Sequence, residues 1–413
     1  MLSVCGTIPF VLLLLAMAVM PLLVLRWWRR NYPLVVVLLG LPVLFGYLLF
    51  TRDVSRIGEV LVEYLGFIAL IGSLYVITGG IRLRIVRPPT PAFNTLVLFA
   101  GAIIANVIGT TGASMLLIRS FLNNNRRRYQ AYLVVFFIFV VANIGGGLTP
   151  IGDPPLLIGY LKGVPFLWVA AQTWYLWLAA MTMVLVAFYW FDRRNTTGRY
   201  APRPLRIDVK GYRNVLFLAS VLVAVFARTP VRELLMICAA AASFVFTPKS
   251  IYRRNRFSFR PIIEVAVLFA GIFVTMAPVL DLLDTRSRGL GLGSSTGFYW
   301  VTGMLSGVLD NAPTYRALFE VALGIVPNGV RSLLGLRPEL VRALSIGAVY
   351  FGALTYIGNG PNLMVKSIAE HQRLKVPHFF EYVLRYSLPI LLPILADTWL
   401  LLLCCRPHGN ASL

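Results

Sequence analysis

Long apolar stretches alternate with short basic ones along the whole chain. Runs such as 8–25, 33–50 and 166–191 hold no charged residue and approach the ~20 residues a helix needs to cross the hydrocarbon core. The pattern predicts crossings at 8–25, 33–50, 60–80 and 166–191, and again near 214–228, 231–247, 262–283 and 379–404. Two apolar blocks, 93–122 and 296–325, do not fit. As one straight helix each would run ~45 Å, too long for a ~30 Å core, and as two crossings each would be too short. The first block also lies between Arg82/Arg84/Arg87 and Arg126–Arg128, clusters expected on the same side of the membrane. A re-entrant helical hairpin resolves both difficulties, turning at Ile108-Gly109-Thr110-Thr111-Gly112; the second block would turn at Leu309-Asp310-Asn311-Ala312-Pro313.

Two further segments, 131–161 and 341–371, read as crossings interrupted by glycine and proline. The expected breaks fall at Gly145 and Gly146, at Gly152, Pro154 and Pro155, and at Gly358, Gly360 and Pro361. Proline lacks the amide donor and clashes with the preceding turn. Hydrocarbon tolerates the freed backbone groups only where protein or a water-filled cavity satisfies them. The breaks share a frame: 148–155 is LTPIGDPP and 354–361 is LTYIGNGP, identical at five of eight positions.

Counting crossings turns this duplication into a topology. Each half, 1–191 and 214–404, holds five crossings, one of them broken, plus one hairpin; a basic linker at 192–213 joins them. Five is odd, so the second half enters the membrane upside down relative to the first. The expected fold is an all-α polytopic membrane protein built from two inverted repeats. Arginine clusters at 26–30, 82–87, 126–128, 193–213 and 249–260 mark the cytoplasmic side and place both termini outside.

Composition narrows the class without changing the picture. The chain is 58% apolar and 13% charged, and a soluble protein would carry roughly twice that charged fraction. The net charge of +22 follows from basic loops and does not point to nucleic acid. The first apolar run has no basic residues before it and Arg26, Arg29 and Arg30 after it, so it reads as a retained span rather than a signal peptide. The four cysteines form no CxxC pair, the three histidines form no helical ligand pair, and no phosphate-binding GxxxxGK[ST] loop occurs. No cofactor and no resident metal are therefore expected, and the energy source would be an ion gradient. The natural setting is a lipid bilayer, expected to be a bacterial inner (plasma) membrane.

Ionisable groups at membrane depth are costly and become functional candidates. Asp153 follows the first break and Asp310 lies at the second hairpin tip. Each has a plain alternative as a helix cap. Neutral oxygen donors surround them in the pattern: Asn143, Thr149, Asn359 and Asn362 in the broken crossings, and Asn106, Thr110, Thr111, Ser114 and Asn311 in the hairpins. Hard cations such as sodium favour all-oxygen shells of this kind. Arg316 and Glu320, four apart, would pair with each other, although Arg316 also lies near enough to reach Asp310. Asp397, late in the final span, has no evident partner and would face the core or a cavity.

The stretch from Ala142 to Pro155, ANIGGGLTPIGDPP, resembles the signature of the ion transporter superfamily. Within it the likeness is to D-type sodium/proton antiporters and the related arsenite-permease and melanosomal P-protein branch. Ser306 to Pro313 resembles that branch's second-hairpin motif, Ile357 to Asn362 its second break, and Asn106 to Ser114, more loosely, the first hairpin. Citrate and dicarboxylate transporters share the architecture. The resemblance implies a scaffold and a transport domain, a homodimer, and an elevator-like movement. It makes Arg316 a departure, since a neutral residue is expected after LDNAP.

The leading expectation is a sodium/proton antiporter in which carboxylates alternately hold Na⁺ and H⁺. The alternative is a transporter for citrate or another small organic anion, driven by Na⁺ or H⁺. A metalloid permease or a non-transporting receptor is a third reading. No enzymatic activity is expected.

Overall fold

The computed structural model describes residues 4–51, 54–196, 204–286, 292–325 and 337–404, and it is 80% helical. The first half contains α1 (Ile8–Leu23), α2 (Leu25–Gly46), α3 (Val54–Gly79), α4 (Pro91–Asn124), α5 (Tyr132–Val140), α6 (Pro154–Leu161) and α7 (Trp168–Arg194). The second contains α8 (Asn214–Ala224), α9 (Val231–Phe246), α10 (Lys249–Arg254), α11 (Arg260–Arg286), α12 (Ser295–Val308), α13 (Asn311–Ile325), α14 (Pro338–Phe351), α15 (Gly360–His371), α16 (Phe379–Tyr382) and α17 (Leu392–Cys404). Among the described residues six helices are long and apolar enough to cross a membrane: 26–49, 55–79, 91–124, 168–194, 260–283 and 379–404. The last of these includes a π-helical stretch, Val383–Leu391, around Pro389, where the missing amide loosens the ladder. The chain is an all-α polytopic membrane protein.

Helix α4 is not straight. Gly109 has φ 80° and ψ 153°, a conformation costly for any residue with a Cβ, and it splits the helix into two arms. The ends of the arms meet: Asn94 and Asn125 exchange hydrogen bonds of 2.8 and 3.1 Å between their side-chain amides. A straight helix of this length would separate them by ~45–50 Å. In the second half, α12 and α13 pack against each other across Leu309 and Asp310.

Several local expectations are corrected. Arg26, Arg29 and Arg30 lie inside α2 rather than in a loop, because α1 and α2 are joined by Val24 alone. Pro154 and Pro155 open α6, and Gly360 and Pro361 open α15. Proline lacks only an amide that a first helical turn leaves unpaired anyway. The breaks themselves are 141–153, with a 3₁₀ turn at Ile144–Gly146, and 352–359, with one at Gly352–Leu354. Helix α7 runs past residue 191, and the linker contains a strand, β2 (Arg206–Lys210). It pairs antiparallel with β1 (Arg82–Val86), Arg84 opposite Asp208, so part of the basic loop is a two-stranded ribbon.

Helices α8 and α9 are two elements that fold back on each other. The Asn214 side chain, at the start of α8, bonds to Ser243 and Thr247 at the end of α9. With 11 and 16 residues, they rise only ~16 and ~24 Å and fall short of a full crossing.

Packing sorts the helices into two groups. One contains α1, α2, α3, α8, α9 and α11; the other contains α4 to α7 and α12 to α17. Their main seams are α3 with α4, α3 with α6 and α11 with α13. The second group buries α5 and α14 almost completely, and α5 is apolar on every side. Helices of that kind belong in the middle of a bundle.

Candidate functional site

The two breaks are built alike. Thr149 Oγ1 donates to the Asn106 carbonyl (2.5 Å), and Thr355 Oγ1 donates to the Gly307 carbonyl (2.7 Å). Each threonine hydroxyl also accepts a backbone amide, from Gly152 at 3.1 Å and Gly358 at 3.2 Å. Thr110 N donates to the Gly152 carbonyl (2.8 Å), and Asn311 N to the Gly358 carbonyl (3.2 Å). In both copies two loop glycines close on each other. A Cβ on Gly146 would lie 2.7 Å from Gly152 O, and one on Gly358 would lie 2.7 Å from Gly352 O. Each hairpin tip is thus stitched to the break that follows it in sequence.

The four tips and breaks converge on one carboxylate. Asp153 is 1% exposed. It accepts from Thr110 Oγ1 (2.8 Å), Asn359 Nδ2 (2.9 Å) and Asn311 Nδ2 (2.6 Å). Each residue starts a helical stretch: Thr110 the second arm of α4, Asp153 α6, Asn311 α13 and Asn359 α15. Asp153 makes no side-chain cap on α6, so the capping alternative does not account for it.

Further side-chain amides extend the network. Asn359 Nδ2 also reaches Ala142 O (3.1 Å) and Asn143 Oδ1 (3.2 Å). Asn143 Nδ2 donates to Asn362 Oδ1 (2.8 Å), and Asn362 Nδ2 to the Gly352 and Thr355 carbonyls (2.8 and 2.9 Å). Asn311 Oδ1 is buried and has no partner, an acceptor left open beside the carboxylate.

Of the sequence candidates, Asp153, Thr110, Asn143, Asn311, Asn359 and Asn362 form this continuous network. Asn106 and Thr149 do not touch Asp153; they stitch the first hairpin to its break, with Asn106 Nδ2 on Gly145 O (2.6 Å). Thr111 lines a small cleft of about 30 Å³ between the first hairpin tip and Leu70, Leu74 and Tyr75 of α3. Ser114 is buried with its hydroxyl unpartnered. Asp310 is half-buried and accepts from Ala312 N (3.1 Å), which is the capping role.

Arg316 does not neutralise Asp310. It is 1% exposed and bonds Glu63 (3.2 Å) and Glu320, while Lys162 also bonds Glu63. Two acids and two bases thus close a cluster across the seam where α3 meets α6 and α13. Asp397 is exposed on α17 rather than turned inward.

Three contributors were not singled out from the sequence. Thr355 has the same place in its octapeptide as Thr149, a signal available in the repeat. Trp177 of α7 donates to Ile144 O (2.8 Å), and Tyr382 to Ala353 O (2.8 Å), each satisfying a carbonyl freed by a break. Nothing in a lone aromatic residue announces that task.

Comparison with known families adds the decisive context. A family model described as "Putative citrate transport" (CitMHS_2) matches residues 1–403. The chain belongs to this family. Its name is that of a citrate transport-type secondary transporter, a small organic anion and the bilayer being the partners it fits. No curated protein matches the chain well enough to count as a relative.

Proposed function

We propose that the protein moves a citrate-like organic anion together with a cation, and that Asp153 is the coupling group. The observation that carries this reading is that four helical starts converge on one buried carboxylate. A helix N-terminus carries about +0.5 of an elementary charge, so four of them outweigh a single negative charge. When Na⁺ or H⁺ neutralises Asp153, the surplus field favours an anion at the same spot. When Asp153 is bare, it repels that anion. Binding of the two is therefore coupled in sign, and symport follows.

Thr110 Oγ1, the open Asn311 Oδ1 and the carboxylate supply oxygen for the cation. Asn143, Asn359 and Asn362 hold these groups in register and offer amide donors to the anion. The hairpins and breaks belong to two inverted repeats, 1–191 and 214–404, that carry the site between them. The group containing the site would slide along the six-helix group, exposing Asp153 to either side in turn.

Sodium/proton exchange is the second reading. It is favoured by the absence, among the described residues, of any lysine or arginine bonded to Asp153. Labelled citrate uptake and a sodium-dependent pH-dye signal, recorded in the same proteoliposomes, separate the two. Citrate accumulation driven by an inward Na⁺ or H⁺ gradient supports the first. A citrate-independent pH signal with no citrate uptake overturns it.

A further inference from the structure

Arg342, on α14, is 7% exposed, and neither its Nε nor its Nη1 has a partner. A buried guanidinium is expensive unless paired. Glu339, one turn earlier on the same helix, forms no ion pair with it, and the seam acids Glu63 and Glu320 are held by Arg316 and Lys162. Among the described residues no acid forms an ion pair with Arg342, which leaves a surplus positive charge inside the helical group that carries the site.

Its surroundings form a row. Ser345 lies one turn along α14 on the same face, and its hydroxyl is buried. The Tyr315 hydroxyl, from α13, is fully buried and lies within hydrogen-bond reach of Ser345, with no other partner for either hydroxyl. Tyr315 is one turn from Asn311, whose open Oδ1 lies beside Asp153. Unsatisfied buried polar atoms are rare in folded proteins. Here Arg342 and Ser345 share a face of α14, Tyr315 reaches Ser345 from α13, and Asn311 stands one turn before Tyr315 at the carboxylate centre. Gly159 of α6 faces the Tyr315 hydroxyl and leaves room for it.

We propose that Arg342, Ser345 and Tyr315 form a second anion-binding position, which takes one carboxylate group of the transported anion on its way to the Asp153 centre. The guanidinium fork matches a carboxylate edge, and the two hydroxyls donate to it. Arg342 lies roughly 15 Å along the α14 axis from the Gly352 turn at the site. A small polycarboxylate docked there has left the aqueous phase without yet meeting Asp153. The position rests on the organic-anion reading for its ligand, but not for its existence as an anion site.

The test uses the full chain in detergent and in neutral-lipid proteoliposomes. Thermal stabilisation is titrated with citrate, sulfate and chloride, and citrate uptake is measured for wild type, Arg342→Gln, Arg342→Lys and Tyr315→Phe. Arg342→Gln is expected to weaken citrate stabilisation and raise the uptake KM by about 10- to 100-fold, the size of one lost charge-assisted hydrogen bond. Its maximal rate should stay within about two-fold, because the coupling group is untouched. Arg342→Lys keeps the charge and is expected to fall between the two; it also serves if Arg342→Gln does not fold. Tyr315→Phe should raise KM by less than Arg342→Gln. Wild-type KM and wild-type citrate stabilisation in both arginine variants would overturn the proposal. If wild type takes up no citrate under any gradient, the organic-anion reading has failed instead. The anion position then stands only if sulfate or chloride stabilisation is present in wild type and lost in Arg342→Gln.

Discussion

Asp153 and Asn359 hold the same place in two copies of one octapeptide, and the amide of the second donates to the carboxylate of the first at 2.9 Å. The duplication thus closes on itself at the centre of the molecule. One copy supplies the charge and the other supplies a donor to it.

Neutralising that charge should uncouple transport. For Asp153→Asn, uptake driven by an imposed cation gradient is expected to fall by at least ~30-fold, as for removal of a buried, hydrogen-bonded charge. Counterflow and gradient-driven uptake in proteoliposomes are the readouts. Retained gradient-driven accumulation would remove Asp153 from the coupling role.

The near-equivalence of the two copies gives a stricter test. Exchanging the pair, Asp153→Asn with Asn359→Asp, keeps one carboxylate and one amide at the same contact. The double variant should recover to within about tenfold of wild type, whereas the singles add or remove a charge; residues in direct contact are non-additive in this way. A double variant no better than Asp153→Asn alone would mean that the first copy's geometry, not its charge, is required.

The loop glycines should differ sharply in tolerance. A Cβ at Gly358 meets Ser306 O at 2.6 Å and Gly352 O at 2.7 Å, while one at Gly360 meets nothing within 4 Å. Gly358→Ala is expected to lose monodisperse protein, and Gly360→Ala to leave both yield and uptake unchanged. Size-exclusion profiles after solubilisation decide the matter.

At the base of the first hairpin, Asp192 is fully buried and accepts from Asn94 (3.0 Å), Tyr132 (2.6 Å) and Arg128. Removing Arg128 leaves that carboxylate short of its partner, at a cost of roughly 3–5 kcal/mol. Arg128→Ala should therefore lower Tm by several degrees, and the exposed Arg126→Ala should not. Equal melting curves would show that the cluster contributes little.

Glycine and proline made the central architecture readable. Gly109, the Gly-Asp-Pro-Pro break and its Gly-Asn-Gly-Pro copy each leave a mark on local sequence, because few residues tolerate those backbone geometries. Which amide would face which carboxylate was not readable. Asn311 and Asn359 reach Asp153 across more than 150 residues of chain, a proximity only tertiary packing creates. Charge was the least legible property. Nearness in sequence sets Arg316 against Asp310, yet it turns to Glu63 on a helix more than 250 residues away. Arg82 and Arg84 read as loop residues, although the alternation in RLRIV and RIDVK is what a two-stranded ribbon requires.

The first hairpin is tied at both ends. Its tip is bonded to the Gly152 carbonyl, and its base to Asp192 of α7, which also accepts from Tyr132 at the start of α5. Such a clasped element cannot swing open like a flap without tearing two buried contacts at once. A hinge at Gly109 alone would have to break both the Thr110–Gly152 and the Asn94–Asp192 bonds before the two arms of α4 could part.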